Sequence, residues 1–195
     1  MLTLFLGLLL FMGVHSLQAM APEWRTRRIE QWGEKAYKGL YSAIALAGLA
    51  LIVVGYGQAR TAPVVLWTPP RGLLHASFLL MWVSMVMMAA AYWPRNAIRQ
   101  RLGHPMTLGV KVWAFAHLMA NGQLADLLLF GAFLVWAVLV FRSARRRPAT
   151  VPAAPGTLAA TVLTVLAGTG VWALFLWGGL HARLIGVNPL GSMGA

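Results

Sequence analysis

Residues 106–141 read MTLGVKVWAFAHLMANGQLADLLLFGAFLVWAVLVF, and the fold turns on whether they form one helix or two. As a single α-helix they would run about 54 Å at about 1.5 Å per residue, far beyond a hydrocarbon core of roughly 30 Å. Merging them would also carry the Arg145-Arg146-Arg147 run to the opposite side of the membrane. The polar triplet Asn121-Gly122-Gln123 is therefore predicted to break the stretch into two spans, 106–120 and 124–141. They are expected to form a tight helical hairpin, with Gly122 supplying a left-handed helix end.

Outward from this pair lie four more apolar blocks, at residues 2–19, 39–56, 72–93 and 157–181. The 195-residue chain is 59% hydrophobic and only 10% charged, against about 45–50% and about 25% in soluble domains. A soluble core of this size could not hide so much apolar surface. The prediction is an all-α, polytopic membrane helical bundle of six transmembrane helices, occupying residues 1–195 as a single domain. The first block is read as a retained span and not a secretory signal, since only Met-Leu-Thr precedes its apolar run and no positive charge does.

The net charge of +12 comes from 16 Lys and Arg against 4 Asp and Glu. In a soluble chain it would suggest a nucleic-acid binder. Here the basic residues cluster between spans. Arg25, Arg27, Arg28, Lys35 and Lys38 follow the first; Arg95, Arg99 and Arg101 follow the third; Arg142, Arg145, Arg146 and Arg147 follow the fifth. The positive-inside rule puts those connections in the cytoplasm and both termini on the periplasmic side, and nucleic-acid binding is excluded as the meaning of the charge. Pro148, Pro152 and Pro155 make residues 142–156 an irregular basic linker. Trp24, Trp32, Trp67 and Trp93, near block edges, read as interfacial anchors. Trp113, Trp136 and Trp172 lie deeper, where packing is the plain reading and contact with a flat ligand the sharper one. The Met81, Met85, Met88 stripe reads as packing.

The chain has no cysteine, which removes disulfides, thiolate metal sites, Fe–S clusters and cysteine catalysis together. Ionisable groups inside spans are costly, and each is a candidate for function. His15, deep in the first span, and His117, in the fourth, are the leading candidates. His104 precedes Pro105 at the start of the fourth span, where an interfacial cap is the plainer role. His75 and His181 sit near outer span ends, and Lys111 can snorkel to the cytoplasmic face. Asp126 lies in the first turn of the fifth span, where complementing the helix dipole suffices to explain it. Two neutral imidazoles on different spans are what a b-type haem requires as axial ligands, and covalent attachment lacks its Cys-x-x-Cys-His motif. With the first span running inward, His15 lies about 9 Å from the cytoplasmic boundary and His117 roughly 15–18 Å from it. Their pairing is permitted but not demanded, and His104 remains an alternative partner for His15.

Five stretches then point to a family: LLFMGVHSL (Leu9 to Leu17), GEKAYKGLYSAIALAGLALIVVGYGQAR (Gly33 to Arg60), LWTPPRG (Leu66 to Gly72), HPMTLGVKVWAFAHLMANG (His104 to Gly122) and HARLIGVNP (His181 to Pro189). In these the chain resembles the NnrU family of bacterial inner-membrane proteins, whose domain is shared with plant and cyanobacterial 15-cis-zeta-carotene isomerases. The resemblance implies a multi-pass protein of the bacterial inner membrane, linked to denitrification and to the nitrite and nitric oxide reductase system. From the isomerase branch it implies haem b held by two histidines, matching His15 and His117, the latter thirteen residues after His104. That branch carries a cysteine three residues before the second ligand, proposed as an alternative ligand; this chain has Ala114. The function expected is a bis-histidine haem protein supporting denitrification. The rivals are a haem-dependent cis-trans isomerase of a polyene such as zeta-carotene, and a haem-free transporter or reductase assembly partner.

Overall fold

A computed structural model describes residues 1–147 and 155–191. Nine α-helices are found among the described residues: α1 (Leu2–Met20), α2 (Pro22–Trp32), α3 (Glu34–Ala59), α4 (Arg71–Tyr92), α5 (Ala97–Leu102), α6 (Pro105–Ala120), α7 (Leu124–Arg146), α8 (Leu158–Leu176) and α9 (Leu180–Ile185). Five of them, α1, α3, α4, α7 and α8, are long and apolar enough to cross a membrane. No more than 28% of any of their apolar windows is buried inside the molecule. Leu46, Leu79 and Leu166, all more than half exposed, need lipid as their solvent. The chain is an all-α, multi-pass membrane protein.

Helix ends follow local chemistry. Pro22 opens α2, where its missing N–H is harmless, and Gly33, at φ 81°, closes it. The Asn96 side chain caps α5 by accepting from Arg99 N at 2.7 Å, and Thr157 caps α8 by accepting from Ala160 N at 3.2 Å.

Several boundaries differ from expectation. The sixth block ends as a helix at Leu176; a turn through Gly178 and Gly179 (φ 69°) separates it from α9, so His181 lies on a second short helix. The basic segment after the fifth block is helical as far as Arg146, because Arg and Ala are strong helix formers. Residues 148–154 of that linker, with Pro148 and Pro152, lie outside the described residues. The connections after the first and third spans contain α2 and α5, whose polar composition gave no apolar block to read.

The break at 121–123 is present, but Gly122 does not hold a positive φ. Its carbonyl instead accepts from Leu66 N at 2.8 Å and Trp67 N at 3.2 Å, and Leu124 N donates to Val64 O at 2.9 Å. These bonds surround an antiparallel bridge between Val65 and Gln123. A Cβ on Gly122 would run into the carbonyl of Trp67. The glycine serves close backbone approach, a role that local sequence could not separate from a helix stop.

The chain divides into two compact units, Met1–Thr68 with Asn121–Arg146, and Pro69–Ala120 with Arg147–Ala195. In the first, α1 packs chiefly on α3 and then on α7. Gly7, Gly48 and Gly55 allow this: a Cβ on Gly7 would stand 2.6 Å from Ile52 N and one on Gly48 2.7 Å from Phe11 N, and one on Gly55 would overlap the backbone of Leu4. Small residues that let backbones approach are the usual basis of helix association in lipid. Ser143 Oγ donates to Ala19 O at 3.2 Å, tying α7 to the end of α1.

In the second unit α4 is central, against α6 on one side and α8 on another. Ser84 Oγ donates to Gly109 O at 2.8 Å, and Met88 lies over Gly109, its Cγ 2.8 Å from where a Cβ would be. Two indoles secure α8: Trp82 Nε1 donates to Thr169 Oγ1 at 2.9 Å and Trp172 Nε1 to Phe78 O at 3.1 Å. Packing is therefore the role of Trp172 and of Met88.

Candidate histidine site

In the first unit, α1 carries His15 one turn after Phe11. The His15 Nδ1 lies 2.6 Å from the Phe11 carbonyl. A carbonyl oxygen only accepts, so Nδ1 carries the proton and Nε2 carries the lone pair. Rings from three helices surround the imidazole: Phe11 stacks on it at 4.1 Å, Tyr41 of α3 lies at 5.4 Å and Trp136 of α7 meets it edge-on at 6.3 Å. Phe133 closes the group, 5.9 Å from Phe11 and 6.4 Å from Trp136. Beside this cluster, Met12, Gly13 and Ser16 of α1 and Ala132 of α7 help line an apolar cavity of about 400 Å³.

In the second unit, His117 sits in the last turn of α6, with Nδ1 2.9 Å from Trp113 O and its ring 4.9 Å from the Trp113 ring. The same reasoning protonates Nδ1. His75 and His181 make equivalent bonds, to Arg71 O and Val187 O at 2.8 Å, so this bond alone selects no ligand. His15 differs in its surroundings, with rings from three helices around it; His117 lies against the Trp113 ring and His181 6.4 Å from the Phe175 ring, and the bonds of His75 and His181 are exposed.

His104 precedes α6, its carbonyl accepting from Leu108 N at 3.3 Å and Thr107 Oγ1 at 3.1 Å. Pro105 follows as the first helical residue. Thirteen residues of one helix place His104 and His117 about 20 Å apart, so those two cannot share an iron. Ala114, where the isomerase branch carries its cysteine, is fully buried.

Asp126 does more than complement the dipole of α7. It is 3% exposed, its Oδ1 accepts from the Tyr56 hydroxyl at 2.5 Å, and its Oδ2 accepts from Gln123 N at 3.0 Å. The second bond is the reciprocal half of a capping box; the first ties α7 to α3.

Among the described residues, no three His, Asp or Glu side chains gather as a metal-binding group, so an iron here would take histidines singly from separate helices. A haem asks for a neutral imidazole with Nε2 available, flat apolar walls, and donors for its carboxylates. The surroundings of His15 fit: the tautomer is set by Phe11, the walls are aromatic, and the indole Nε1 of Trp136 is a buried donor without an acceptor.

A family model described as NnrU protein matches residues 3–189. Neither a search of curated proteins nor one of solved structures finds a match.

Proposed function

Since the chain belongs to the NnrU family, we propose that it is a haem b-binding protein of the bacterial inner membrane that supports nitrite and nitric oxide reduction, its iron held by His15 and His117. The observation that carries this reading is the aromatic cluster around a His15 whose Nδ1–H is bound by the Phe11 carbonyl. That bond turns Nε2 into the lone-pair donor and orients the ring, as hydrogen-bonded second partners do for metal-binding histidines. Phe11, Tyr41, Phe133 and Trp136 exclude water from it. Trp113 and its carbonyl perform the same service for His117. When bound, the haem would supply one-electron redox chemistry, its two axial positions being taken by the histidines.

In the bilayer, α6 is read as the fourth of six spans. At 16 residues it is about 24 Å long, short of the hydrocarbon thickness, and Lys111 near its start reaches the cytoplasmic interface. The basic connections face the cytoplasm and both termini the periplasm.

The test is a reduced-minus-oxidised spectrum and pyridine haemochrome assay on protein purified in detergent after expression with ample haem. A Soret band that shifts on reduction, and is lost in His15→Ala and His117→Ala, is expected. A colourless protein overturns the reading in favour of a haem-free transporter or assembly partner. Polyene isomerisation is disfavoured by the buried Ala114, which offers no thiolate; conversion of zeta-carotene isomers by the purified protein would reinstate it.

A further inference from the structure

Trp136 presents a problem that packing does not solve. Among the described residues, its Nε1 is the buried side-chain nitrogen or oxygen that has no hydrogen-bond partner. The two other indoles that bridge helices, Trp82 and Trp172, both satisfy theirs. A buried donor without an acceptor loses its hydration for nothing, and the loss is greater in a bilayer, where no water stands nearby. Such orphans in native proteins call for an explanation, and a group outside the polypeptide is one kind. Phenylalanine would fill similar aromatic space without the penalty.

Position narrows the explanation. Trp136 is edge-on to His15 at 6.3 Å and T-shaped to Phe133 at 6.4 Å, so the orphan donor belongs to the ring cluster that holds the candidate ligand. Resting on the haem reading above, we infer that Trp136 is a positioning residue of the His15 site, its indole N–H donating to a haem carboxylate. The carboxylate is the haem's polar periphery, and a charged acceptor repays an indole donor better than a neutral one. Tryptophan suits the task because it adds a single neutral donor to an otherwise apolar wall, so the polypeptide itself carries no charge there before the haem is bound.

The experiment follows haem loss from the purified full-length protein to excess apomyoglobin, with haem and with haem dimethyl ester, whose carboxylates are blocked. Trp136→Phe should lose haem about tenfold faster than wild type and lose the ester at nearly the wild-type rate. The Soret position should not move, because His15 is intact, while the propionate bending band in resonance Raman spectra should. Trp136→Tyr, which keeps a donor, should recover most of the difference and preserves the comparison if the phenylalanine variant does not fold. Equal loss of haem and ester from wild-type protein overturns the inference without any variant. So does an equal acceleration of both in Trp136→Phe, which would make Trp136 a packing residue. Wild-type protein that takes up neither overturns the haem reading itself, a result distinct from the other two.

Discussion

Asp126 and Tyr56 show what one buried carboxylate does in this molecule. Its two oxygens are spent on two tasks, the hydroxyl of Tyr56 and the first turn of α7, so removing it strands two donors at once. Asp126→Ala should destabilise the protein by about 2–3 kcal/mol, and Tyr56→Phe by about 1 kcal/mol. In a double-mutant cycle by SDS titration, the pair should show coupling of about 1 kcal/mol; additive effects would mean that the short contact carries no net energy. Asp126 stands out in the sequence as an acid at the start of a span, where helix-dipole complementarity is legible; its cap bond from Gln123 N is seen only in the structure. Tyr56 does not stand out, because the partner lies 70 residues away and nothing local marks a tyrosine near a span's end as a donor to a distant carboxylate. The same holds for the rings around His15: the histidine was readable as an ionisable group in an apolar block, but its neighbours come from α3 and α7 and have no fixed spacing from it.

At the level of elements, span positions were readable because lipid imposes length and hydropathy, two properties that survive in composition. The close pairing of α1 with α3 depends on shape, through Gly7, Gly48 and Gly55, and glycines are frequent enough in apolar helices that these three do not announce themselves. Gly7→Ala and Gly55→Ala should each cost about 1–3 kcal/mol, since the new methyl meets backbone on the facing helix and only a shift of the helices can relieve it. Gly57→Ala, which faces open space on the same helix, should lie within about 0.5 kcal/mol of wild type or gain slightly from helix propensity. SDS or thermal unfolding in detergent separates these outcomes, and equal effects at Gly55 and Gly57 would refute the packing account. Helices α2 and α5 escaped reading for the opposite reason: they are polar, and their ends are defined by Pro22, Gly33, Asn96 and Gly103, which also punctuate ordinary loops.

For the whole molecule, the absence of native cysteine makes single-cysteine labelling clean. With a membrane-impermeant maleimide on spheroplasts, Ala62→Cys should label, while Arg27→Cys, Arg101→Cys and Arg145→Cys should label only after permeabilisation. The Arg101 and Arg145 positions also report on α6: if α6 and α7 both cross, the two lie on the same side, and if α6 does not cross they lie on opposite sides. Charge gives an expected sidedness, and the short α6, bounded by Gly103 and the 121–123 break, leaves the span count open; these labels measure both.

The first unit is discontinuous in the chain, its last helix following Thr68 by a segment that ends at Arg146, roughly 80 residues on. At about 5–20 residues per second, α1 and α3 emerge from the ribosome about 4–16 s before α7 is complete. During that delay His15 has Phe11 and Tyr41 beside it but neither Phe133 nor Trp136. The nascent protein thus passes through an interval in which the ring cluster around His15 is incomplete. Any cofactor that needs all four rings must be loaded after most of the chain has been translated, which gives membrane insertion precedence over maturation of the site.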